Sequence, residues 1–179
     1  MLQSSSNSTG FMNLASMLWQ LPHGAAVIRG SEKYPEINGQ VRFYQTNYGV
    51  LVAEEVSGLP QPEGLCESPV FAFHIHSGGS CTGDAQDPFA EVMTHYNPGD
   101  CAHPYHAGDL PPLFGSNGYA LTVFLTDRFT VHEIIGKAVI IHANPDDFTT
   151  QPSGNAGEKI ACGIVTPVDS TQYWREQDR

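Results

Sequence analysis

Apolar and polar positions alternate along most of the chain in short runs, and turn-forming residues separate one run from the next. Short runs rich in Val, Ile, Tyr, Phe and Thr predict β-strands. The predicted strands are residues 25–30, 40–45, 50–56, 70–76, 119–126, about 134–142 and 159–167. Two long segments without periodicity, residues 77–114 and 143–158, interrupt the series. The pattern predicts an all-β domain: a Greek-key β-sandwich or flattened barrel of seven to eight antiparallel strands with two long functional loops.

The ends of the chain differ from this pattern. Residues 1–22 are predicted to be an N-terminal appendage, residues 23–167 the domain and residues 168–179 a polar tail. A short amphipathic helix is predicted in the appendage from five side chains at helical spacing: Phe11, Leu14, Ala15, Leu18 and Trp19. This helix either lies on the domain or on a partner subunit, is partly disordered, or is a remnant of a targeting segment.

The net charge of the chain bears on which classes of partner it can bind. Eight Lys and Arg against nineteen Asp and Glu give a formal net charge of -11. Such a chain repels phosphate backbones, so we predict no nucleic-acid partner. No apolar run approaches the ~20 residues of a membrane span. The N-terminus shows no signal peptide, which leaves localisation open between cytoplasmic and exported with a trimmed N-terminus.

The histidines are concentrated in one part of the chain. Five of the eight fall within residues 71–109. His74 and His76 lie two apart in a predicted strand, so they project from the same face. An isolated pair of this kind is more often two partly exposed side chains, but His142 ends another apolar strand and suits a third ligand at the same end. Imidazole clusters of this type favour copper or zinc.

A second group of ligand-type side chains lies in the first long loop. His95, His103, His106 and Asp109 are separated by eight, three and three positions within a Gly- and Pro-rich segment. Three imidazoles and one carboxylate satisfy a closed tetrahedral zinc site, which would order the loop. The alternative is a loop of solvated histidines.

Five segments, in chain order, carry a more specific pattern. They are FAFHIHSGGSC, THYNP, HAGDLP, GKAVIIHANPDD and GNAGEKIACGIV. With these segments the chain resembles the copper/zinc superoxide dismutase family over about residues 25–166. The resemblance implies an oxidoreductase with copper and zinc as cofactors and superoxide, a small anion, as substrate. It also implies that copper is alternately reduced and oxidised, which turns superoxide into oxygen and hydrogen peroxide.

The resemblance implies a role for each candidate ligand. The implied copper ligands are His74, His76, His95 and His142. The implied zinc ligands are His95, His103, His106 and Asp109. As the bridge between the metals, His95 would accept and return a proton, which makes it a catalytic residue. Asp146 would accept hydrogen bonds from ligands of both metals, unless it only caps a turn.

The resemblance also implies a disulfide between Cys81 and Cys162. Such a bridge would pin the first long loop to the last strand and restrict the unfolded chain by roughly 4–5 kcal/mol in the entropy model. Cys66 and Cys101 have no counterpart in the family and are either a second bridge or free thiols. The remaining histidines that match no ligand, His23 and His132, are predicted to lie on the surface.

The sequence departs from the family at Lys159, where an Arg above the copper is usual. Lysine keeps the positive charge but lacks the planar fork of arginine, so we expect activity at a reduced level, with Lys159 as a second catalytic residue. The second long loop has two adjacent acids, Asp146 and Asp147, and no Lys or Arg, so attraction of superoxide is expected to be weak. Glu158 is expected on the opposite face of the strand.

Two other functions remain open from the sequence. The main alternative is a copper- and zinc-binding domain of the same fold that sequesters or delivers metal with little dismutase activity. A purely structural sandwich domain is the third. No motif marks an interface, so a homodimer, common in the family, and a copper donor protein both remain open as partners.

Overall fold

The computed structural model describes residues 13–62, 64 and 69–169. Its elements in chain order are α1 (Leu14–Leu18), β1 (Gly24–Gly30), β2 (Asn38–Thr46), β3 (Gly49–Ser57), β4 (Val70–Phe71), β5 (Phe73–His76), a 3-10 turn (Ala90–Val92), β6 (Leu113–Phe114), β7 (Tyr119–Thr126), α2 (Val131–Ile134), β8 (Ala138–His142), β9 (Lys159–Ile164) and β10 (Thr166–Pro167). The predicted strand at residues 119–126 is confirmed to the residue, and the first three predicted strands are each longer by one or two positions at their ends.

One curved antiparallel sheet contains most of the strands. Its order is β5-β8-β9-β1-β2-β3-β7, and β10 adds to β1. β4 and β6 form a separate two-stranded sheet. The sheet curls around one large core. Alternate side chains of each strand point to the same side of the sheet and fill this core. The predicted all-β sandwich or flattened barrel is therefore confirmed.

The core shows why the alternating pattern folds in this way. On β2 the inward positions include Val41 and Phe43, and on β3 they include Val50, Val52 and Val56; all five are fully buried. Burying one such side chain stabilises the fold by about 1.5–3 kcal/mol. The alternation of β2 and β3 thus fixes their register across a hairpin of nine residue pairs.

β8 is buried on both faces, which explains its uninterrupted apolar sequence. Its Val139 and Ile141 belong to the barrel core. Its Ile140 faces the other way and packs with Phe89 and Val92 of the first long loop. The loop thus covers the outer face of the strand and brings its own apolar side chains to this contact.

The predicted disulfide between Cys81 and Cys162 is confirmed, with a Cα–Cα distance of 5.8 Å. It joins the first long loop to β9 across a sequence separation of 81 residues. The two sulfur-bearing residues pack with the same apolar cluster that covers β8. The covalent bond and the apolar contact therefore hold the loop at the same place.

Three predicted strands have the wrong extent, and the one at 159–167 is divided into β9 and β10 with Val165 between them. The strand at 70–76 is divided at Ala72, whose amide donates to Asn144 O at 2.8 Å and whose carbonyl accepts from His142 N at 2.9 Å. Residues before the division pair with β6, and residues after it pair with β8. The strand predicted from about residue 134 begins only at Ala138, because α2 and a turn precede it.

α2 has a sequence signal that the strand prediction overlooked. Thr130 caps the helix and forms a reciprocal capping box with Glu133. Val131 and Ile134, three positions apart, are both buried. This spacing is helical, whereas a strand buries alternate residues.

A short N-terminal helix, α1, lies partly on the domain. Asn13 caps α1 by accepting a hydrogen bond from Ser16 N at 3.1 Å. Met17 and Leu18 pack against the outer face of the sheet, whereas Trp19 is 83% exposed. Leu14 is also exposed, so the predicted apolar face docks only in part.

Several predictions fall outside the described residues: Phe11 of the appendage, Cys66 and positions 170–179 of the polar tail. Within the described ranges, no helix has the length and apolar character needed to cross a membrane.

Candidate metal centre

Three of the predicted ligands are positioned by paired strands. β5 carries His74 and His76, and β8 pairs with it and ends at His142. A register irregularity falls between Ile141 and His142. The amide of His142 donates to Ala72 O at 2.9 Å, which fixes the end of β8 beside the start of β5. All three imidazoles are buried, so the strand pairing brings them together as predicted.

The free edge of β5 is covered by the first long loop. Tyr96 N donates to Ile75 O at 2.7 Å, and Ile75 N donates to Gly108 O at 2.9 Å. The loop thereby forms isolated bridges that place His95 opposite His76 and Asp109 opposite His74. A side chain at Gly108 would meet Ile75 O at 2.2 Å, so only glycine permits this approach.

The seven predicted ligands form two groups that share one residue. His74, His76, His95 and His142 form the first group, and His95, His103, His106 and Asp109 form the second. Within each group, one nitrogen or oxygen atom from every member lies within 4.8 Å of the others. All members are buried, which is inconsistent with a loop of solvated histidines.

His95 presents a different ring nitrogen to each group. Its Nδ1 lies 2.7 Å from Asp109 Oδ1 and 3.4 Å from His106 Nδ1. Its ring lies 4.0 Å, centroid to centroid, from that of His74. Within the described part of the chain, His95 Nε2 and His74 Nδ1 are buried and have no hydrogen-bond partner. Buried polar atoms normally have partners, so these two indicate that a further group binds here.

The other histidines of the first group each use one nitrogen to hold the ring. His76 Nδ1 lies 2.9 Å from Met93 O, and His142 Nδ1 lies 3.3 Å from Gly157 O. Their Nε2 atoms are only 3.4 Å apart. One nitrogen of each ring is thus held by a backbone carbonyl and the other is directed to the common centre, as in metal sites whose ligands are oriented by hydrogen bonds.

Both of these rings are neutral at pH 7. Burial is the main cause that lowers the pKa of His76 to about 2, and the nearby His142 and His95 lower it further. Burial likewise lowers the pKa of His142 to about 3, with His74 as the next cause. A neutral imidazole has a lone pair to donate, so the apo site is ready for a metal ion at neutral pH.

The predicted carboxylate Asp146 connects the two groups. Its Oδ2 lies 2.7 Å from His74 Nε2, and its Oδ1 lies 2.9 Å from His103 Nε2. Burial alone would raise the pKa of Asp146, but hydrogen bonds from His74, Phe148 N and His103 outweigh it and lower the pKa to about 2. The carboxylate is ionised at neutral pH and fixes both rings.

The donor atoms of each group fit a different ion. The first group offers four imidazole nitrogens, which suit copper. The second offers three imidazoles and a carboxylate, which complete a tetrahedral zinc site. The pKa of Asp109 would be raised by burial, but His95, His103 and His106 lower it, so this carboxylate is also available as an anionic ligand.

Two residues that support the second group were not predicted. Arg128 directs one guanidinium nitrogen, Nη1, at Pro104 O (3.1 Å), His106 O (3.3 Å) and Asp109 O (3.0 Å). Gln151 accepts a hydrogen bond from His103 N at 3.0 Å and donates to His103 O at 2.6 Å. Neither residue type suggests a metal site in the sequence, because both act through the backbone of the ligand loop.

Lys159 lies in the wall of a cavity of about 390 Å³ beside the first group, together with His76 and His142. Its ammonium pairs with Asp87 and donates to Phe89 O at 3.2 Å. Glu158 points elsewhere and pairs with Lys33 at 2.7 Å. The two neighbours point in different directions, as predicted, although Glu158 precedes β9 and does not lie in it.

His23, His132 and Cys101 belong to neither group. His23 and His132 are exposed, as predicted. Cys101 is an exposed free thiol.

Comparison with known proteins gives consistent similarities. The sequence matches the family model described as copper/zinc superoxide dismutase over residues 37–165. It is 32% identical to superoxide dismutase (Cu-Zn) 2 of Aquifex aeolicus (strain VF5) over 145 residues, which is 73% of this chain and 80% of that protein. It is 35% identical to superoxide dismutase (Cu-Zn) 1 of the same organism over 142 residues, 71% of this chain and 79% of that one. It is 36% identical to superoxide dismutase (Cu-Zn) of Legionella pneumophila over 140 residues, 73% of this chain and 79% of that one.

Proposed function

The chain belongs to the copper/zinc superoxide dismutase family, and from this premise we propose that it converts superoxide into oxygen and hydrogen peroxide at the two histidine groups. The observation that carries the proposal is the position of His95 between them. Its Nδ1 faces the carboxylate-containing group, while its buried Nε2 has no partner among the described residues. A single imidazole so placed can serve both metal sites.

The nitrogen atoms available on each ring support a specific set of ligands. On the copper side these are His74 Nδ1, His76 Nε2, His95 Nε2 and His142 Nε2. The other nitrogen of His74, His76 and His142 is held by a hydrogen bond, and that of His95 faces the second group. On the zinc side they are His95 Nδ1, His103 Nδ1, His106 Nδ1 and an oxygen of Asp109, which lie together in the second group. Asp146 then orients one ring of each site.

Copper bound at the first group would supply one-electron reduction and reoxidation, and zinc at the second would supply a fixed positive charge. The chain itself must handle the protons, since two superoxide ions and two protons give one oxygen and one hydrogen peroxide. His95 lines the cavity, and its Nε2 has no competing acceptor among the described residues. When it does not bind copper, this atom can therefore hold a proton and release it toward the cavity.

Substrate approach depends on the charges around the cavity. Within the described part of the chain, Lys159 is the only Lys or Arg among the cavity-lining residues. A positive side chain at this wall attracts a small anion, and its pairing with Asp87 weakens that attraction. We therefore propose Lys159 as the residue that guides superoxide, in a protein whose formal net charge of -11 otherwise opposes an anion.

Metal reconstitution tests the function. The purified protein is loaded with copper and zinc, the metal content is measured, and dismutation is assayed beside the His142→Ala variant. We expect activity in the parent protein and its loss in the variant, with zinc retained. Stoichiometric copper and zinc without dismutation would instead support a protein that sequesters or delivers metal.

The state of assembly and the source of copper stay predictions. We propose a homodimer, as is common in the family, and the exposed Trp19 beside α1 is the feature that supports a contact there. Light scattering on the parent protein and on Trp19→Ser tests this contact.

Supply by a copper donor protein is tested by comparing copper uptake from a copper-loaded donor with uptake from free copper. The division into residues 1–22, 23–167 and 168–179 also stays a prediction.

A further inference from the structure

Asp87, in the first long loop, pairs with Lys159, which lines the cavity. The ammonium of Lys159 bonds a carboxylate oxygen of Asp87 and also donates to Phe89 O at 3.2 Å. Asp87 lies 72 residues away in sequence, in the part of the loop that follows the Cys81–Cys162 disulfide. The Lys159 side chain is 15% exposed and that of Asp87 is 42% exposed, so solvent screens the pair less than a fully exposed one.

Glu158, which precedes Lys159 in the sequence, pairs with a different side chain. Glu158 bonds Lys33 at 2.7 Å and accepts a hydrogen bond from Tyr34 at 3.4 Å. Asp87 is thus the acid that sets the effective charge at the cavity wall. Its other carboxylate oxygen, Oδ1, accepts a hydrogen bond from Phe89 N at 3.1 Å, which fixes the carboxylate in place.

We propose that Asp87 is a positioning residue that keeps the ammonium of Lys159 against the cavity wall and offsets its charge, and thereby limits how strongly the cavity attracts small anions. The proposal rests on the dismutase function proposed above. An unpaired lysine would present a full positive charge beside His76 and His142, which line the same cavity. The pair presents little net charge, so the protein gives up part of the steering that a lone cation supplies.

The variant Asp87→Asn separates charge from shape. Asparagine keeps an oxygen that can accept from Phe89 N and loses the negative charge. We expect the dissociation constant for azide, measured on the copper- and zinc-loaded protein by visible absorption, to fall about threefold to tenfold at low ionic strength. The value of kcat/KM for superoxide should rise by a similar factor, and both effects should shrink in about 0.5 M salt.

A double-variant comparison shows whether Asp87 acts through Lys159. In a Lys159→Gln background, Asp87→Asn should change azide affinity by less than about twofold, because no ammonium remains to be released. Glu158→Gln is the matched control: it removes the same charge from the neighbouring position and should leave azide affinity unchanged.

The proposal is overturned if Asp87→Asn leaves azide affinity and its salt dependence unchanged, or if its effect persists in the Lys159→Gln background. Azide binding requires bound metal but does not require the protein to dismutate superoxide. A protein that binds azide as expected but does not dismutate superoxide would refute the proposed function and leave this inference standing. An active protein with unaltered azide binding in Asp87→Asn would do the reverse.

Discussion

Replacing Asp146 by asparagine is expected to weaken the copper side of the centre more than the zinc side. In the native protein, Oδ2 of Asp146 accepts from His74 Nε2 at 2.7 Å. Oδ1 accepts from His103 Nε2 at 2.9 Å and from Phe148 N at 2.7 Å. Asparagine has only one acceptor oxygen, and its amide nitrogen faces an N–H donor whichever way the side chain turns. The oxygen should stay on the side that receives two hydrogen bonds, which leaves the amide nitrogen against His74.

The expected loss of copper affinity follows from the hydrogen bond between Asp146 and His74 that the variant lacks. A hydrogen bond to a charged group contributes about 1.5–3 kcal/mol, and loss of a partner that orients a metal ligand typically costs about 10–100-fold in metal affinity. We expect a loss in this range for copper. Zinc keeps its hydrogen-bonded His103 and loses only the nearby negative charge, so we expect a loss of about threefold.

Chelator competition on the apo protein measures both affinities, with copper(II) and zinc titrated separately. Asp147→Asn is the control, because it makes the same change one residue later, at a side chain that only caps the turn at Thr149 and Thr150. It should alter neither affinity by more than about twofold. Equal losses for both metals, a larger loss for zinc, or no loss in Asp146→Asn would refute the reasoning.

Three further predictions each concern one substitution. Lys159→Arg should raise kcat/KM for superoxide about threefold in stopped-flow assays, because a guanidinium can pair with Asp87 along one edge and still present a donor to the cavity; a decrease would contradict this. Arg128→Met should accelerate chelator-driven zinc release about tenfold, since methionine keeps an apolar stem but has no N–H to donate to the three loop carbonyls; an unchanged rate would contradict it. Burial raises the pKa of Glu54 to about 7, so the native apo protein binds this proton more tightly than the unfolded chain and loses stability as pH rises from about 4.5 to 7. Glu54→Gln should therefore stabilise the apo protein by about 2–3 kcal/mol at pH 8 and little at pH 4.5, measured by urea unfolding; an equal change at both pH values would refute it.

The alternation of apolar residues predicted the strands well where one face of a strand is buried. The strand Tyr119–Thr126 was predicted with its exact limits, because turn residues precede it and a run of β-forming residues fills it. The same signal failed where tertiary contacts decide the pairing. The division at Ala72 depends on hydrogen bonds to His142 and Asn144, which no local pattern reveals. By contrast, α2 could have been predicted from the capping pair Thr130 and Glu133.

The seven candidate ligands were predictable because the histidines are concentrated in one segment and match the family resemblance, and the structure brings these side chains into two groups. The residues that hold those ligands in place were harder to predict. Arg128 contacts carbonyls 19 to 24 positions away, Gln151 contacts His103 across 48 positions, and Asp87 reaches Lys159 across 72. Each is a common surface residue type, and only the fold brings it to the site.

The way in which the two groups are held leads to one conclusion about the second long loop. The first group draws three ligands from paired strands, so the barrel itself fixes them. The second group has no strand of its own, and its His103 is held by Asp146 through the ring and by Gln151 through the backbone. Both of these residues come from the second loop, and Pro152 of the same loop lines the cavity. Order in residues 143–158 is therefore required for zinc retention and for the shape of the substrate entrance. The strands fix the backbone of three of the four proposed copper ligands, but the same loop orients two of their rings, because Asp146 holds His74 and Gly157 O holds His142.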